Sequence, residues 1–494
     1  MLPGSGLVLQ GHLPHSGLVR VSSDRRVGPE RVAALLDGSA GAGPTYAALA
    51  DGLRSAVLAG ALPPRTRLPS ERELAASLGL SRTTVSAAFD RLRTEGYLVS
   101  RQGSGTVTAL PSGVRRSPRF SDTPDEALLD LTKAAPGAPP ELAGACTAAV
   151  EDLRHLSGRG YSPFGVPALR AAVAAWYDER GVPTSPEQIL VTTGAQQAIH
   201  LVVGLWAGRG DRVVVEHPTY PLAIEAVRRG GARPVPVPVG PSGVDVDLLR
   251  ATVTRADPRL VYLIPDFQNP TGTVLDPDRR RDVRTVLAAV GVPLVVDEVF
   301  AELGFDLPAP APLVAGDGRG VIGIGSGSKT YWGGLRVGWV RAHPDVIARL
   351  AARRASVDIG TSVLDQLVLT RLLAERGQIL VRRRAELRRQ RDELLALLAT
   401  HLPSWRATAP AGGLSLWVDL GAPASTALAL RGPACGVHLV PGTAFGVDGT
   451  FDDRLRLTFS EPEEVLATAV ERIAAAWATL DRPVTASRPW APAV

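Results

Sequence analysis

Val321–Trp339 reads VIGIGSGSKTYWGGLRVGW: an apolar run that breaks into alternating glycine and serine, a single lysine at Lys329, and a glycine-rich stretch around Arg336. The only other lysine in 494 residues is Lys133, and arginine supplies nearly every remaining positive charge. A lysine kept in so arginine-biased a chain is singled out for what a guanidinium does not do, which is to lose its proton and attack an aldehyde to form an imine. The alternative is that Gly325–Ser328 is a flexible tether and Lys329 a solvated charge. The neighbouring motifs decide against it.

Outward from this stretch, QILVTTG, DRVVVEHP, ARPVPVPV, RLVYLIPD, VPLVVDEVF and GVIGIGSGS are short apolar runs separated by amphipathic helical segments. That alternation predicts a mostly parallel sheet with both faces buried, and ligands in such sheets gather at the carboxyl ends of the strands. Polar motifs stand at those ends. Gly194, Ala195 and Gln196 open a helix after a strand, where unpaired amides favour an anion. Tyr220 lies in EHPTYP, Asn269 in PDFQNPTG, and Asp297 closes VPLVVD. Tyr161 stands earlier, in YSPFGVPALR, and Arg456 and Arg454 later, in RLRLTFS. Beyond Arg376 the sequence predicts a long charged helix and then a small α+β unit.

The N-terminal part has a different pattern. Residues 1–28 show no sustained period and are read as an arm. A short helix is expected over Pro29–Leu36, ended by Asp37-Gly38, and another from Tyr46, closed by Gly60. Then Ser70 and Glu73 have capping-box spacing, Gly79 ends one helix and Ser81 begins the next. Leu74, Leu78, Val85, Ala88, Phe89 and Leu92 fall at core spacing, and YLVSRQ and TVTA flank Gly103-Ser104-Gly105 as a hairpin. Two helices and a hairpin make a winged helix-turn-helix. Between Thr45 and Thr108 eight arginines face two aspartates and three glutamates, an excess of +3 in a chain whose net charge is +5. The polar residues Arg72, Arg82, Thr83 and Thr84 cluster at helix starts, where they can meet phosphates and base edges. Residues 109–130, proline-punctuated and led by Arg115, Arg116 and Arg119, are read as a linker. Residues 481–494 are read as a tail.

Two cysteines, Cys146 and Cys435, supply no disulfide framework and fit a reducing compartment. No metal-ligand cluster is evident. There is no basic leader and no run of about 18 apolar residues, so the chain is expected to be cytoplasmic, with no membrane partner.

Two resemblances gather these motifs. The passage from about Tyr46 to Val107 is similar to the GntR-type winged helix-turn-helix, L-P-S-x-R-x-L-A…L-G-x-S-R-x-T-V…L…E-G-x-L…G-x-G-T. This resemblance implies double-stranded DNA as a partner, with Ser70, Arg72, Arg82, Thr83, Thr84 and Gly105 at the contact. Ser326, Ser328 and Lys329, followed by Gly334, Arg336 and Gly338, resemble the S-x-S-K and G-x-R-x-G signature of fold-type I, aspartate aminotransferase-like pyridoxal-phosphate enzymes. That likeness covers residues 131–480 and implies a large α/β domain with a small C-terminal α+β subdomain.

By this second resemblance, Lys329 carries pyridoxal 5'-phosphate, and Ser326, Arg336 and the Gly194-Ala195-Gln196 turn hold its phosphate. Tyr220 stacks on the pyridine, Asn269 meets the phenolic oxygen and Asp297 the pyridine nitrogen. Tyr161 reaches the cofactor phosphate of a neighbouring subunit, which implies a homodimer, and Arg456 clamps a substrate carboxylate, with Arg454 as the close alternative. One departure stands out. Relatives often read D-E-x-Y where this chain has Asp297-Glu298-Val299-Phe300, so a hydroxyl directed at the phenolic oxygen is missing.

Joined in this order, winged helix (29–108), linker and aminotransferase-like domain resemble the MocR/GabR regulators. The implied function is a DNA-binding regulator that senses pyridoxal phosphate or an amino-compound effector. The alternative is a working aminotransferase that carries a DNA-binding module.

Overall fold

Helix ends in the N-terminal region form where the capping residues dictate. In a computed structural model describing residues 25–36, 45–58, 62, 66–101, 105–109, 128–156, 158–308 and 310–480, helix α1 covers Pro29–Leu36, α2 Thr45–Leu58, α3 Glu71–Leu78 and α4 Arg82–Thr94. Ser70 accepts from the Glu73 amide while the Glu73 carboxylate accepts the Ser70 N–H, closing a reciprocal capping box on α3. Gly79 ends α3 in the left-handed region, φ 65°, a conformation that glycine adopts without a Cβ penalty. Ser81 caps α4 through the Thr84 amide. Leu74, Val85, Ala88, Phe89 and Leu92 are buried as expected, whereas Leu78 is only half-buried.

Strands β1 (Arg25–Arg26), β2 (Thr66–Arg67), β3 (Leu98–Arg101) and β4 (Gly105–Thr108) form a sheet in the order β1-β2-β4-β3. This corrects the reading of residues 1–28 as a structureless arm: Arg25 and Arg26 pair in parallel with Thr66 and Arg67, and the Val27 amide donates to the Arg67 carbonyl. A two-residue strand held by a neighbour carries no periodic signal. Gly105, placed from sequence in the turn, begins β4 opposite Arg101. The remaining arm (1–24), Asp37-Gly38, Gly60, Gly103-Ser104, the three linker arginines and the 481–494 tail lie outside the described residues.

The described residues divide into two compact units, 25–54 with 62–109 and the rest. The second is built on an eight-stranded sheet. Its order is Ile189–Thr192, Gly338–Arg341, Val321–Ser326, Leu294–Asp297, Leu260–Leu263, Arg212–His217, Arg233–Gly240, Gly243–Val244. All six runs named from sequence are strands, and buried apolar clusters cover both faces. Two details differ. Gly338–Arg341, read only as part of a glycine motif, is a strand running antiparallel between two neighbours. Arg233–Gly240 is only partly buried, because the prolines at 234, 236 and 238 lack donors and suit an outer place in the sheet.

Helix Arg376–His401 and a four-stranded sheet of Arg406–Ala407, Ser415–Asp419, Arg454–Thr458 and Val440–Pro441 complete this unit, with helix Glu463–Ala478. Leu129–Asp130, assigned from sequence to the linker, instead pairs in parallel with Val437–His438. The second unit therefore begins before residue 131.

Candidate functional site

Lys329 follows the strand Val321–Ser326, and the strand fixes where its amine emerges. The side chain is half-buried and Nζ donates to the Ala134 carbonyl at 2.8 Å. Desolvation first, and the neighbouring Arg456 and Arg336 charges, outweigh the attraction of Asp297 and bring the amine down to about 8. An ammonium so destabilised is close to the neutral form that attacks a carbonyl.

Around it the sheet gathers the expected anion cradle. Helix Gly194–Trp206 starts with no side chain capping its amides. Gly194 has φ 77°, and a Cβ there would lie 2.4 Å from Nη2 of Arg336. Arg336 itself is left-handed, φ 51°. Gly338 pairs with both Thr192 and Ser326, and a Cβ on it would lie 2.8 Å from the Ala195 nitrogen. The Ser326 hydroxyl sits 2.9 Å from that of Ser328 and 3.0 Å from the Val337 carbonyl. Gln196 donates to the Leu222 carbonyl, and its buried Oε1 has no partner. The turn is braced from behind by residues the sequence reading missed: Asp358 accepts from Thr193, Gln197 and the fully buried Arg354.

At the other end stands Asp297, buried among apolar strands. Burial raises its carboxyl to about 6, opposed by hydrogen bonds from the Tyr262 hydroxyl and the Val299 amide and by the charge of Lys329. Tyr220 is held up at about 12, first by burial and then by Asp297. The buried Asn269 Oδ1 has no partner. Phe300 is buried in the apolar core, and its ring offers no hydrogen bond where a tyrosine would.

Arg456 and Arg454 share a strand but not an environment. Arg454 pairs with Asp419 and Asp453 near the surface. Arg456 is buried, donates to the Leu131 and Thr132 carbonyls, and has an unpartnered Nε. Burial without a carboxylate in contact lowers it to about 10. Lys329 and Tyr220 thus feel the same three charges, Asp297, Arg336 and Arg456. Tyr161 is 74% exposed. Among the described residues no hydrogen bond or ion pair joins it to this group.

These residues fit pyridoxal phosphate: a glycine-made space in front of an arginine, an uncapped helix start, a poised lysine and a buried carboxylate. Among the described residues no cluster of His, Cys, Asp or Glu suits a metal ion.

The winged unit presents a second candidate surface. Arg54, Arg91 and Arg93 are tied to Asp51, Glu95, Glu71 and Asp90. Arg72 and Arg82 are exposed and, like Arg67, have no side-chain partner among the described residues. Among the described residues, the arginines left without an acidic partner are therefore those at the starts of α3 and α4 and Arg67, which packs against Gly105, itself at φ 80°. Sequence reading passed over Arg67. Thr83 and Thr84 lie at the start of α4 as expected, but both hydroxyls are bonded to Ser81, 2.7 Å away, and so take part in the cap.

Residues 139–473 match the family described as "Aminotransferase class I and II", and residues 45–107 match "Bacterial regulatory proteins, gntR family". The probable rhizopine catabolism regulatory protein MocR of Rhizobium meliloti is 31% identical over 73% of this chain and 78% of its own length. The chain belongs to the MocR-type regulators. Members of this family join a gntR-type helix-turn-helix to a pyridoxal-phosphate-dependent aminotransferase fold. The 2-aminoadipate transaminase of Thermus thermophilus is 35% identical over 65% of this chain and 80% of that protein. The structure of LysN, an α-aminoadipate aminotransferase of Thermus thermophilus complexed with N-(5'-phosphopyridoxyl)-L-leucine, superposes with a TM-score of 0.66 at 33% identity, covering 71% of this chain and 92% of that one. No helix among the described residues is long and apolar enough to cross a membrane.

Proposed function

We propose that this MocR-type regulator acts in the cytoplasm as a homodimer, and that it binds operator DNA through Arg72, Arg82 and the wing while an amino-compound effector enters the pyridoxal-phosphate site. Lys329 holds the cofactor by its amine. Arg336, Ser326 and the amides from Gly194 to Gln196 bind its phosphate, Asn269 its phenolic oxygen, and Tyr220 lies over the ring. Asp297 faces the ring nitrogen. When bound, the cofactor supplies an electron sink for bonds to the effector's α-carbon. Arg456 takes the effector carboxylate, exchanging two backbone carbonyls for a charged, forked partner. Tyr161, too exposed to belong to a core, serves the neighbouring subunit.

The observation that carries this reading is a free pair of arginines at two helix starts in the same chain as the depressed Lys329 amine. The test is DNA binding to the region upstream of the chain's own gene, with and without pyridoxal phosphate and a panel of amino acids. An effector-dependent change in affinity supports regulation; DNA binding indifferent to every ligand sinks the sensing role.

A second reading, catalytic transamination, is favoured by one observation: a lysine near 8 is suited to move a proton at the α-carbon as well as to hold a cofactor. Phe300 speaks against efficient turnover. Conversion of an amino acid to its keto acid at about 1–10³ per second, without DNA affinity, would establish the enzyme instead.

A further inference from the structure

Behind the pyridine end of the site lies a hydroxyl that neither the motifs nor the family match assigns. Tyr262 sits in the strand Leu260–Leu263, in register with Val215 on one side and Val295 on the other. Asp297 is two residues beyond Val295, on the same face of the adjacent strand, since side chains alternate along a strand. The fully buried tyrosine therefore reaches one step up the sheet, and its hydroxyl donates to Asp297 Oδ2 at 2.5 Å. The Val299 amide holds Oδ1 at 3.2 Å. Each carboxylate oxygen has one fixed donor, which leaves a lone pair on each for the ring nitrogen and prevents the group from rotating.

We infer that Tyr262 is a positioning residue for the cofactor: by hydrogen bonding it orients Asp297 and keeps it ionised towards the ring nitrogen. The inference rests on pyridoxal phosphate occupying the site as described. Burial and Asp297 hold the Tyr262 hydroxyl well above its ordinary range, so it keeps its proton and donates it to the carboxylate. The need for such a donor follows from the surroundings. Burial above all, and then the buried Glu298 next in sequence, disfavour a charge on Asp297. Lys329 is the cation facing it, and Tyr220 adds no positive charge. A phenol at hydrogen-bonding distance thus supports the carboxylate against the burial that would otherwise neutralise it. Tyr262 also stands on the opposite side of the carboxylate problem from Phe300: one hydroxyl is lost at the phenolic oxygen, another is kept behind the ring nitrogen.

The test uses the full chain and reads pyridoxal-phosphate affinity and the visible absorbance of the bound cofactor from pH 5 to 8.5. Tyr262→Phe is expected to weaken cofactor binding about tenfold at pH 7 and to move the midpoint of the pH dependence upward. Placing 3-fluorotyrosine at 262, the same shape with a stronger donor, should move that midpoint below wild type. A purely structural tyrosine would shift neither midpoint in this ordered way, and the fluorinated chain keeps the test valid if the phenylalanine variant does not fold. Superimposable profiles for wild type, Tyr262→Phe and the fluorinated chain overturn this inference alone. A wild-type chain that takes up no cofactor overturns the cofactor reading and this inference with it.

Discussion

The Arg336 guanidinium occupies the space that a side chain at residue 194 would need: a Cβ on Gly194 would stand 2.4 Å from Nη2. Both residues are left-handed, φ 77° and 51°, so the helix start and the arginine face each other through backbone conformations that only glycine adopts freely.

Gly194→Ala should accordingly cost about 1–2 kcal/mol in backbone strain alone and displace the guanidinium as well. The expected result is pyridoxal-phosphate affinity reduced by more than tenfold. Equilibrium titration of cofactor absorbance measures it, and affinity within twofold of wild type would contradict the cradle.

Covalent capture should follow the Lys329 amine. Because burial and Arg456 bring it to about 8, the rate of reaction with pyridoxal phosphate should rise with pH and level off above about 8 rather than above the ordinary lysine range. Arg456→Ala removes a repelling cation and should push the profile to higher pH. Borohydride reduction followed by peptide mass spectrometry checks the position; an adduct at Lys133 would refute the assignment.

Much of this was legible in the sequence because it is periodic or contiguous. The capping box at Ser70 and Glu73, the left-handed Gly79 and the six apolar strand runs need only local chemistry, and each is found where local chemistry puts it. What was not legible depends on register between distant segments. Tyr262 is one aromatic in an apolar run until the strand Leu294–Asp297 is laid beside it. Likewise Asp358 has no visible role until it meets Thr193, Gln197 and Arg354. Arg456 and Arg454, two residues apart, were separable only by burial, and Thr83 and Thr84 look free until the Ser81 hydroxyl is placed between them.

DNA binding should separate the arginines of the winged unit into two classes. Arg82→Ala or Arg72→Ala should weaken binding, by about 1–3 kcal/mol for a base contact, or uniformly and with a shallower salt dependence for a phosphate contact. Arg93→Ala, which breaks pairs with Glu71 and Asp90, should lower the melting temperature of the unit. Fluorescence anisotropy at several salt concentrations, with thermal melts, distinguishes the two. Unchanged affinity for every DNA tested in both the Arg72 and Arg82 variants would remove them from the interface.

Glu216 provides a pH test of stability. It is buried, accepts from the Ile264 amide and Gln268, and desolvation raises it to about 8. Its folded-state value lies above its unfolded one, so the folded chain binds the extra proton. Its contribution is therefore fully present below about 4.5 and is lost as pH rises towards 8. Glu216→Gln keeps an acceptor for the amide and no longer ionises. Its melting temperature should exceed wild type at pH 8.5 and approach it at pH 5; a pH-independent difference would show that the carboxyl is not the titrating group.

The residues that follow the linker in sequence are anchored twice over. Leu129–Asp130 is stitched to Val437–His438, and the next few carbonyls, Leu131, Thr132 and Ala134, are the ones that hold Arg456 and Lys329. A ligand that draws either cation towards itself competes with this backbone for it. Turning either cation towards a ligand would leave carbonyl acceptors open in Leu131–Ala134, the few residues that directly follow the paired Leu129–Asp130.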